Sequence, residues 1–428
     1  MIPLSWSELA ALSLGELRGA PGDGVVRRVH DDSRDARPGD LFVALNTGTR
    51  FVDDAVARGA ATLVPHDQEA ALAALGSLVR GRSDAEVVAI VGSVGKTTTK
   101  DVLSALCAAV TPTVAAHGSR NNELGLPLTV LRLEPETRVL VAEMGMRGLG
   151  QIAELCLVAR PTVALVTSVG PEHLELVGTV EDVARANAEA IEALPPGGVA
   201  VVPGGEPLLD PYLRRDDVVV RRFDRSSIAR DGEQWRFDVG GAGVRLALPF
   251  GQRHLAENVL AALTAYEALG LPLERAADGA RSIKLSRWRG EVRDLPGGGL
   301  VVNDAYNANP ISMSAALLDL AERAAGRRRV AILGEMAELG AESARYHAEI
   351  ATLLEELGIE LVLAVGEPAG AYLARGAEGR LVPDAGSFAE VVDLLRPGDA
   401  ILVKASRAVG LEGIPSLIEK HSQAWHES

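Results

Sequence analysis

The chain has 428 residues, of which 47% are hydrophobic and 24% charged, and its formal net charge at pH 7 is −15. This is the composition of a soluble globular protein with length for two to four domains. The acidic charge argues against a nucleic-acid partner, and the lack of a run of about 18 uncharged apolar residues argues against a membrane span. The N-terminus does not read as a signal peptide, and Cys107 and Cys156 lie among apolar residues, which favours a cytoplasmic location.

Residues 1–84 predict a small N-terminal α/β domain. An alternating pattern predicts a strand at 25–30, and apolar runs predict strands at 41–45 and 61–64. Between the first two strands lies a polar turn that contains Ser33 and Arg34. These two side chains are candidates for binding a polar ligand, although spacing alone favours an ordinary turn with a solvated arginine.

Residues 85–285 alternate between strand and helix patterns, so they predict a central, doubly wound and mostly parallel sheet. The predicted strands are 86–91, 138–143, 162–168 and 198–202, and the predicted helices are 97–109, 150–159, 180–194 and 254–269. The segment 216–250 has a different pattern and predicts an antiparallel meander at the edge of the sheet.

The first central strand runs into a glycine-rich turn and then a helix, which is the context of a nucleotide-binding phosphate loop. In that motif the lysine reaches the outer phosphates and the threonine can hold Mg²⁺. Gly92 stands only three residues before Gly95, so the loop is shorter than the common form, and an ordinary strand-to-helix turn is the alternative. The predicted ATP-binding residues here are Gly92, Ser93, Val94, Gly95, Lys96, Thr97 and Thr98.

Polar residues follow the other central strands, at the edge where ligands bind in such sheets. Glu143 has the oxygen ligands that Mg²⁺ prefers, whereas His173 is a less typical ligand and, taken alone, reads as a hydrogen-bonded loop residue. Asn121 and Asn122 lie in a loop where phosphate or substrate would be a partner for their amides, and a capped helix start is the alternative. Asn258, in an alanine-rich helix, also needs a specific partner.

Residues 286–428 predict a second open α/β sheet of Rossmann-like type. The predicted strands are 300–302, 330–333, 361–365 and 400–403, and the predicted helices are 311–325, 343–356, 387–395 and 411–420. Polar residues again follow the strands, at 303–310, 334–336 and 404–407. Two α/β units with polar edges suggest a cleft that opens and closes.

Several motifs, taken together and in this order, resemble the Mur ligase family of the peptidoglycan pathway. They are Gly-x-x-Gly-Lys-Thr-Thr-Thr-Lys at 92–100, Asn-Asn-Glu-x-Gly at 121–125, Glu-Met-Gly at 143–145, His-x-Glu at 173–175, Asn-Asp-Ala-Tyr-Asn-Ala-Asn-Pro at 303–310, Glu-Met-Ala-Glu-Leu-Gly at 335–340 and Lys-x-Ser-Arg at 404–407. The resemblance covers essentially the whole chain. It implies three α/β domains and a cytoplasmic, monomeric enzyme that uses ATP and Mg²⁺ to join D-alanyl-D-alanine to UDP-N-acetylmuramoyl-tripeptide through an acyl phosphate.

The resemblance also implies roles for individual residues. Lys96, Glu143 and His173 would form the catalytic set, with Thr97, Glu143 and His173 at Mg²⁺. Asn258, Arg287 and Asp304 would reach ATP. Substrate contacts would come from Ser33, Arg34, Asn121, Asn122, Asn307, Asn309, Lys404 and Arg407.

One departure from the family is chemically important. The family usually has a lysine in the helix after His-x-Glu, modified to a carbamate that ligates a second Mg²⁺, and this chain has Asn187 there. We therefore expect a weaker or differently built second metal site, with Glu189 assisting. Two other readings stay open: another amide ligase of the Mur or folylpolyglutamate type, and a degenerate, non-catalytic nucleotide-binding regulator.

Overall fold

Strands and helices alternate along most of the chain in the computed structural model, which describes residues 1–373 and 378–426. The strands are β1 (Leu4–Ser5), β2 (Gly15–Arg18), β3 (Val25–Val26), β4 (Val29–His30), β5 (Leu41–Val43), β6 (Ala61–Pro65), β7 (Glu86–Val91), β8 (Thr113–Ala115), β9 (Val139–Glu143), β10 (Val163–Val166), β11 (Val199–Pro203), β12 (Val219–Phe223), β13 (Ala229–Asp231), β14 (Gln234–Val239), β15 (Ala242–Ala247), β16 (Glu291–Leu295), β17 (Gly299–Asn303), β18 (Arg329–Gly334), β19 (Leu361–Val365), β20 (Glu378–Val382) and β21 (Ala400–Lys404). The α-helices are α1 (Trp6–Ala11), α2 (Val52–Ala57), α3 (Gln68–Arg80), α4 (Lys96–Ala108), α5 (Gly125–Val130), α6 (Gln151–Ala159), α7 (Leu174–Val177), α8 (Val180–Glu192), α9 (Arg253–Ala268), α10 (Ala276–Ala280), α11 (Pro310–Ala324), α12 (Ser343–Glu356) and α13 (Ile414–Ser422). The predicted α/β class is confirmed.

The chain divides into two compact units. The first comprises residues 1–168, 184–249 and 257–284, and the second comprises residues 169–183, 250–256 and 285–428. The first unit thus contains the sheets of both the N-terminal and the central predicted domains. The boundaries after residues 84 and 285 stay predictions.

The main sheet of the first unit has six strands in the order β12-β11-β10-β7-β9-β8. All of its pairings are parallel. The middle strand, β7, is apolar and completely buried from Val87 to Val91, as expected for a parallel strand covered on both faces. Because β7, β9 and β10 run in the same direction, the loops that follow them emerge at one edge of the sheet.

The predicted meander was partly wrong. Its first run, β12, pairs with β11 as the outermost parallel strand of the main sheet. The true meander is a separate antiparallel sheet in the order β13-β14-β15. β12 misled the prediction because an edge strand exposes part of its length and is not uniformly apolar, as the adjacent Arg221 and Arg222 show.

The N-terminal residues form a four-stranded sheet in the order β2-β6-β5-β4, in which β2 alone is antiparallel to its neighbour. The strand predicted at 25–30 is in fact two strands. β3 pairs with β1, whereas β4 pairs with β5. The exposed Arg27 and Arg28 lie between them, where the chain passes from one sheet to the other.

The second unit contains a six-stranded sheet in the order β16-β17-β21-β18-β19-β20, in which β16 is antiparallel and the other pairings are parallel. The helix predicted at 387–395 is wrong, because this segment forms two short 3₁₀ turns, Ala385–Glu390 and Val392–Leu394. The side chain of Asp384 accepts the N–H of Ser387 and caps the first turn, and Pro397 disfavours helical backbone at the residue before it. Among the helices of the described ranges, none is both long and apolar enough to cross a bilayer.

Candidate active site

The loop between β7 and α4 has the backbone that the phosphate-loop motif predicts. Gly92 and Gly95 have φ values of +121° and +89°, which favour glycine. Neighbouring atoms also leave no room for a side chain at either glycine. A Cβ on Gly92 would lie 2.3 Å from Oγ1 of Thr167, and a Cβ on Gly95 would lie 2.1 Å from Oδ1 of Asn258. Asn258, which the sequence analysis expects to reach ATP, therefore packs directly against the loop.

The end of β10 supports this loop through hydrogen bonds. Ser93 donates its N–H to the carbonyl of Ser168 at 2.9 Å. Val94 donates its N–H to Oγ of Ser168 at 2.9 Å, and that hydroxyl can donate to the carbonyl of Val94 at 3.2 Å. Lys96 donates to the carbonyl of Gly92 and so folds back over the loop. Ser168 was not selected from the sequence, although it is the last residue of a predicted strand.

Glu143, the last residue of β9, lies beside the start of α4, and only one of its two carboxylate oxygens has a hydrogen-bond partner. Its Oε1 accepts hydrogen bonds from Oγ1 of Thr97 at 3.0 Å and from Nδ2 of Asn121 at 2.8 Å. Its Oε2 is buried and has no hydrogen-bond partner among the described residues. A buried carboxylate oxygen without a partner is costly unless a cation or donor arrives. Thr97, Glu143 and Asn121 thus lie together, and one oxygen of the Glu143 carboxylate has no partner among the described residues.

These oxygens suit Mg²⁺, which is usually held by one or two carboxylates together with water and phosphate oxygens. Within residues 1–373 and 378–426 no cluster of three or more histidine, cysteine or acidic side chains has metal-site geometry. Such a cluster is not needed for a nucleotide-bound ion, because phosphates supply part of the coordination. The donor set of Thr97 and Glu143 therefore fits the ion.

His173 belongs to the second unit and is held there by an acidic partner. Its Nδ1 donates to the carboxylate of Glu338, and its Nε2 lies 4.0 Å from Oε2 of Glu172, beyond hydrogen-bond distance. His173 and Glu338 both have left-handed backbones, with φ values of +52° and +61°, which is uncommon for residues other than glycine. In a neutral imidazole that donates from Nδ1, the other ring nitrogen, Nε2, has no proton and keeps its lone pair. Glu338 was in a quoted motif, but it was not assigned a role.

The buried Lys404 forms an ion pair with the partly exposed Asp304 in the second unit. Nζ of Lys404 donates to Oδ2 of Asp304 at 2.5 Å and to the carbonyl of Asn307 at 2.9 Å. A third contact joins Nζ to the carbonyl of Asp304 at 3.4 Å. Lys404 therefore organises the loop that presents Asp304 and the exposed side chain of Asn307, which was not foreseen.

Three other predicted residues of the second unit have local partners. Asn309 caps α11, because its side chain accepts the N–H of Ser312 at 2.9 Å. Arg407 and Arg287 both lie over the ring of Trp288, at 4.5 and 5.4 Å from its centroid. Their roles toward ATP or substrate stay predictions.

Ser33, Arg34 and Asn122 line a cavity of about 740 Å³ in the first unit. Asp32 accepts hydrogen bonds from Arg34, which lower the pKa of Asp32 to about 2. The exposed ring of Phe51 also lines this cavity. An aromatic face, an arginine and several polar groups are suited to a base, a phosphate and a sugar.

Arg120 lines the same cavity and pairs with Asp31 at 3.1 Å. Asn122 uses its side-chain oxygen locally, to accept the N–H of Gly125 at 3.0 Å at the start of α5. The capped helix start that the sequence left open is therefore present. Phe51 and Arg120 were not selected from the sequence, because neither stands in a pattern of its own.

Comparison with known proteins gives consistent matches along the chain. The Mur ligase middle domain matches residues 90–266, and the Mur ligase, glutamate ligase domain matches residues 288–407. The UDP-N-acetylmuramoyl-tripeptide–D-alanyl-D-alanine ligase of Escherichia coli K12 is 32% identical, over 98% of this chain and 99% of that protein.

Two solved structures are similar over nearly the same length. MurF from Acinetobacter baumannii superposes with a TM-score of 0.85 at 27% identity, covering 98% of this chain and 99% of its own. MurF from Thermotoga maritima in complex with ADP has a TM-score of 0.80 at 28% identity, covering 94% of this chain and 99% of its own.

Proposed function

This chain belongs to the Mur ligase family, and from that premise we propose that it uses ATP to join D-alanyl-D-alanine to UDP-N-acetylmuramoyl-tripeptide. The observation that carries the proposal is the unsatisfied, buried oxygen of Glu143 beside Thr97 at the start of the phosphate-loop helix. An arrangement of this kind is suited to a nucleotide-bound cation, and it occurs in a chain that matches such ligases from end to end.

The reaction requires activation of a carboxylate, because this anion has a poor leaving group and does not react with an amine. A carboxylate oxygen of the tripeptide attacks the γ-phosphorus of ATP, the bond from that phosphorus to the bridging oxygen breaks, and ADP leaves, which gives an acyl phosphate. The neutral dipeptide amine then attacks the acyl carbon, the C–N bond forms, phosphate leaves with the electrons of the C–O bond, and the nitrogen loses a proton to give the amide.

The residues of the phosphate loop serve the first step. The N–H groups at the start of α4 carry partial positive charge toward the phosphates, and Lys96 neutralises the outer ones. When bound, Mg²⁺ supplies further charge neutralisation, and Thr97 and Glu143 are the residues that would hold it. His173, oriented by Glu338, is proposed as an additional ligand.

Each substrate is assigned to a region of the protein by the chemistry of the residues there. The cavity with Phe51 and Arg34 suits the uridine diphosphate part of the nucleotide sugar. Asn258 packs against the loop and suits the nucleoside part of ATP, and Arg287 and Asp304 are proposed to complete that site. We further propose a cytoplasmic monomer with domains at 1–84, 85–285 and 286–428.

The test measures phosphate release and ligated product with purified protein. We expect both to require ATP, UDP-N-acetylmuramoyl-tripeptide and D-alanyl-D-alanine together. Release with a different acid or amine, and none with this pair, would assign the chain to another amide ligase such as a folylpolyglutamate-type enzyme. Nucleotide binding without release under any condition would make it a non-catalytic regulator.

A further inference from the structure

Asn187, which stands where the family usually has a lysine, hydrogen-bonds to the phosphate loop. It lies on α8 and is 1% exposed. Its Oδ1 accepts the N–H of Gly92 at 2.6 Å, across 95 residues of sequence. This N–H is the first of the loop, directly after β7.

The Gly92 amide has little alternative to this bond. Gly92 lies one residue beyond the end of β7, with φ at +121°, and its N–H bonds to the side chain of Asn187 rather than to a neighbouring strand. A buried N–H without an acceptor is unfavourable, so loss of Oδ1 would favour other loop conformations. The next two loop amides are held by Ser168, as described above. Asn187 therefore completes a set of side-chain and main-chain acceptors that hold the loop before any phosphate binds.

The same geometry does not fit a second metal site on α8. A carboxamide nitrogen is not nucleophilic, because its lone pair is delocalised into the carbonyl, so Asn187 cannot form a carbamate. The expectation that Glu189 assists such a site is not supported either. Its Oε1 accepts the N–H of Gly150 at 2.6 Å and its Oε2 accepts the N–H of Ala153 at 3.0 Å, so its carboxylate caps the start of α6.

We propose that Asn187 is a positioning residue of the phosphate loop, and that this ligase works with the metal site at Thr97 and Glu143 without a bicarbonate-dependent second site on α8. The part that concerns ligation rests on the proposed function. The part that concerns the loop requires only that the loop binds nucleotide.

The first test compares the affinity of wild type and Asn187→Leu for a fluorescent ADP analogue, once in EDTA and once in Mg²⁺. Leucine has a similar volume and no acceptor. We expect the dissociation constant to rise about ten-fold, the size expected when one buried amide loses its acceptor, and to rise equally in both conditions. The control is Thr264→Val, which removes a buried hydroxyl that donates to Leu260 within α9. It should leave the affinity within about two-fold.

Three outcomes separate the alternatives. A loss of affinity confined to the Mg²⁺ condition would overturn the proposal, because it would make Asn187 a metal ligand. Unchanged affinity in both conditions would overturn it as well. Failure of the wild type itself to bind ADP would instead refute the nucleotide site on which the proposed function depends.

A second measurement uses the wild type alone and applies if Asn187→Leu does not fold. Hydrogen exchange of the Gly92 amide should be slow without nucleotide or metal, and rapid exchange would contradict the bond to Asn187. Ligation by wild type in buffer freed of CO₂ should equal the rate with added bicarbonate. A rise of several-fold on adding bicarbonate would contradict the absence of a carbamate.

Discussion

Glu143 is the single residue whose environment most clearly indicates a function. Its Oε2 is buried and has no partner among the described residues, so the carboxylate lowers the stability of the folded protein when no metal is bound. Glu143→Gln should lower kcat by about 10²–10³-fold and raise the Mg²⁺ concentration needed for half-maximal phosphate release.

The same substitution should not weaken the fold. In EDTA, we expect the free energy of unfolding of Glu143→Gln to equal or exceed that of wild type by about 1 kcal/mol, since a neutral amide is easier to bury. A large loss of stability in EDTA would mean that the carboxylate is structural and would contradict the assignment.

Glu338 acts through His173 in the proposed mechanism. Glu338→Gln removes the charge that fixes the imidazole, and the expected loss in kcat is about ten-fold. Glu342→Gln is the matched control, because Glu342 lies in the same segment and pairs with the exposed Arg345 at the surface. Nitrogen NMR of His173 should show Nδ1 protonated in wild type and a mixture of tautomers in Glu338→Gln. An unchanged tautomer with lost activity would refute the orienting role.

At the scale of single elements, the phosphate loop is sensitive to an added methyl group. Gly95→Ala requires both a left-handed backbone and displacement of Asn258, whose Oδ1 would lie 2.1 Å from the new Cβ. Gly241→Ala is a matched control with nearly the same φ, +90° against +89°, and open space around it.

Both variants should lose about 1–2 kcal/mol of unfolding free energy from backbone strain. Only Gly95→Ala should lose ADP affinity, by more than about ten-fold, because only its Cβ meets the nucleotide site. Denaturant titration and ADP binding measure the two effects. Equal ADP affinities in the two variants would contradict the prediction, because they would show that a Cβ at position 95 does not disturb the nucleotide site.

Helix α11 contains a buried acid that links stability to pH. Burial raises the pKa of Asp319, although Arg323 opposes this effect. An acid whose folded pKa lies above its unfolded value binds more protons in the folded state, so its contribution to stability falls as pH rises from about 4 through the folded pKa. Asp319→Asn has no such titration. Its melting temperature relative to wild type should therefore be higher at pH 7 than at pH 4, and the opposite trend would contradict the shift.

Across the whole molecule, the buried parallel strands were predictable and the edges were not. Runs such as Val87–Val91 and Leu361–Val365 are apolar throughout because both faces of the sheet are covered. The missed strands Glu291–Leu295 and Glu378–Val382 lie at the two edges of their sheet and carry charged residues. A charged, short edge strand resembles a loop in sequence.

The candidate site also has a part that was predictable from the sequence and a part that was not. Gly92 and Gly95 were identifiable because the local motif itself requires them. The bonds of Asn187 to Gly92 and of His173 to Glu338 join residues 95 and 165 positions apart, and no local pattern encodes them. Such pairings became visible only in the fold.

The central claim is that the terminal phosphoryl group of ATP is transferred to the tripeptide carboxylate at the loop containing Lys96. The most direct test uses tripeptide substrate labelled with ¹⁸O in that carboxylate, with mass analysis of the phosphate released during ligation. We expect one labelled oxygen in each phosphate for every amide formed, and no labelled phosphate or product from Lys96→Ala. Unlabelled phosphate alongside normal ligation, or undiminished transfer by Lys96→Ala, would contradict the claim.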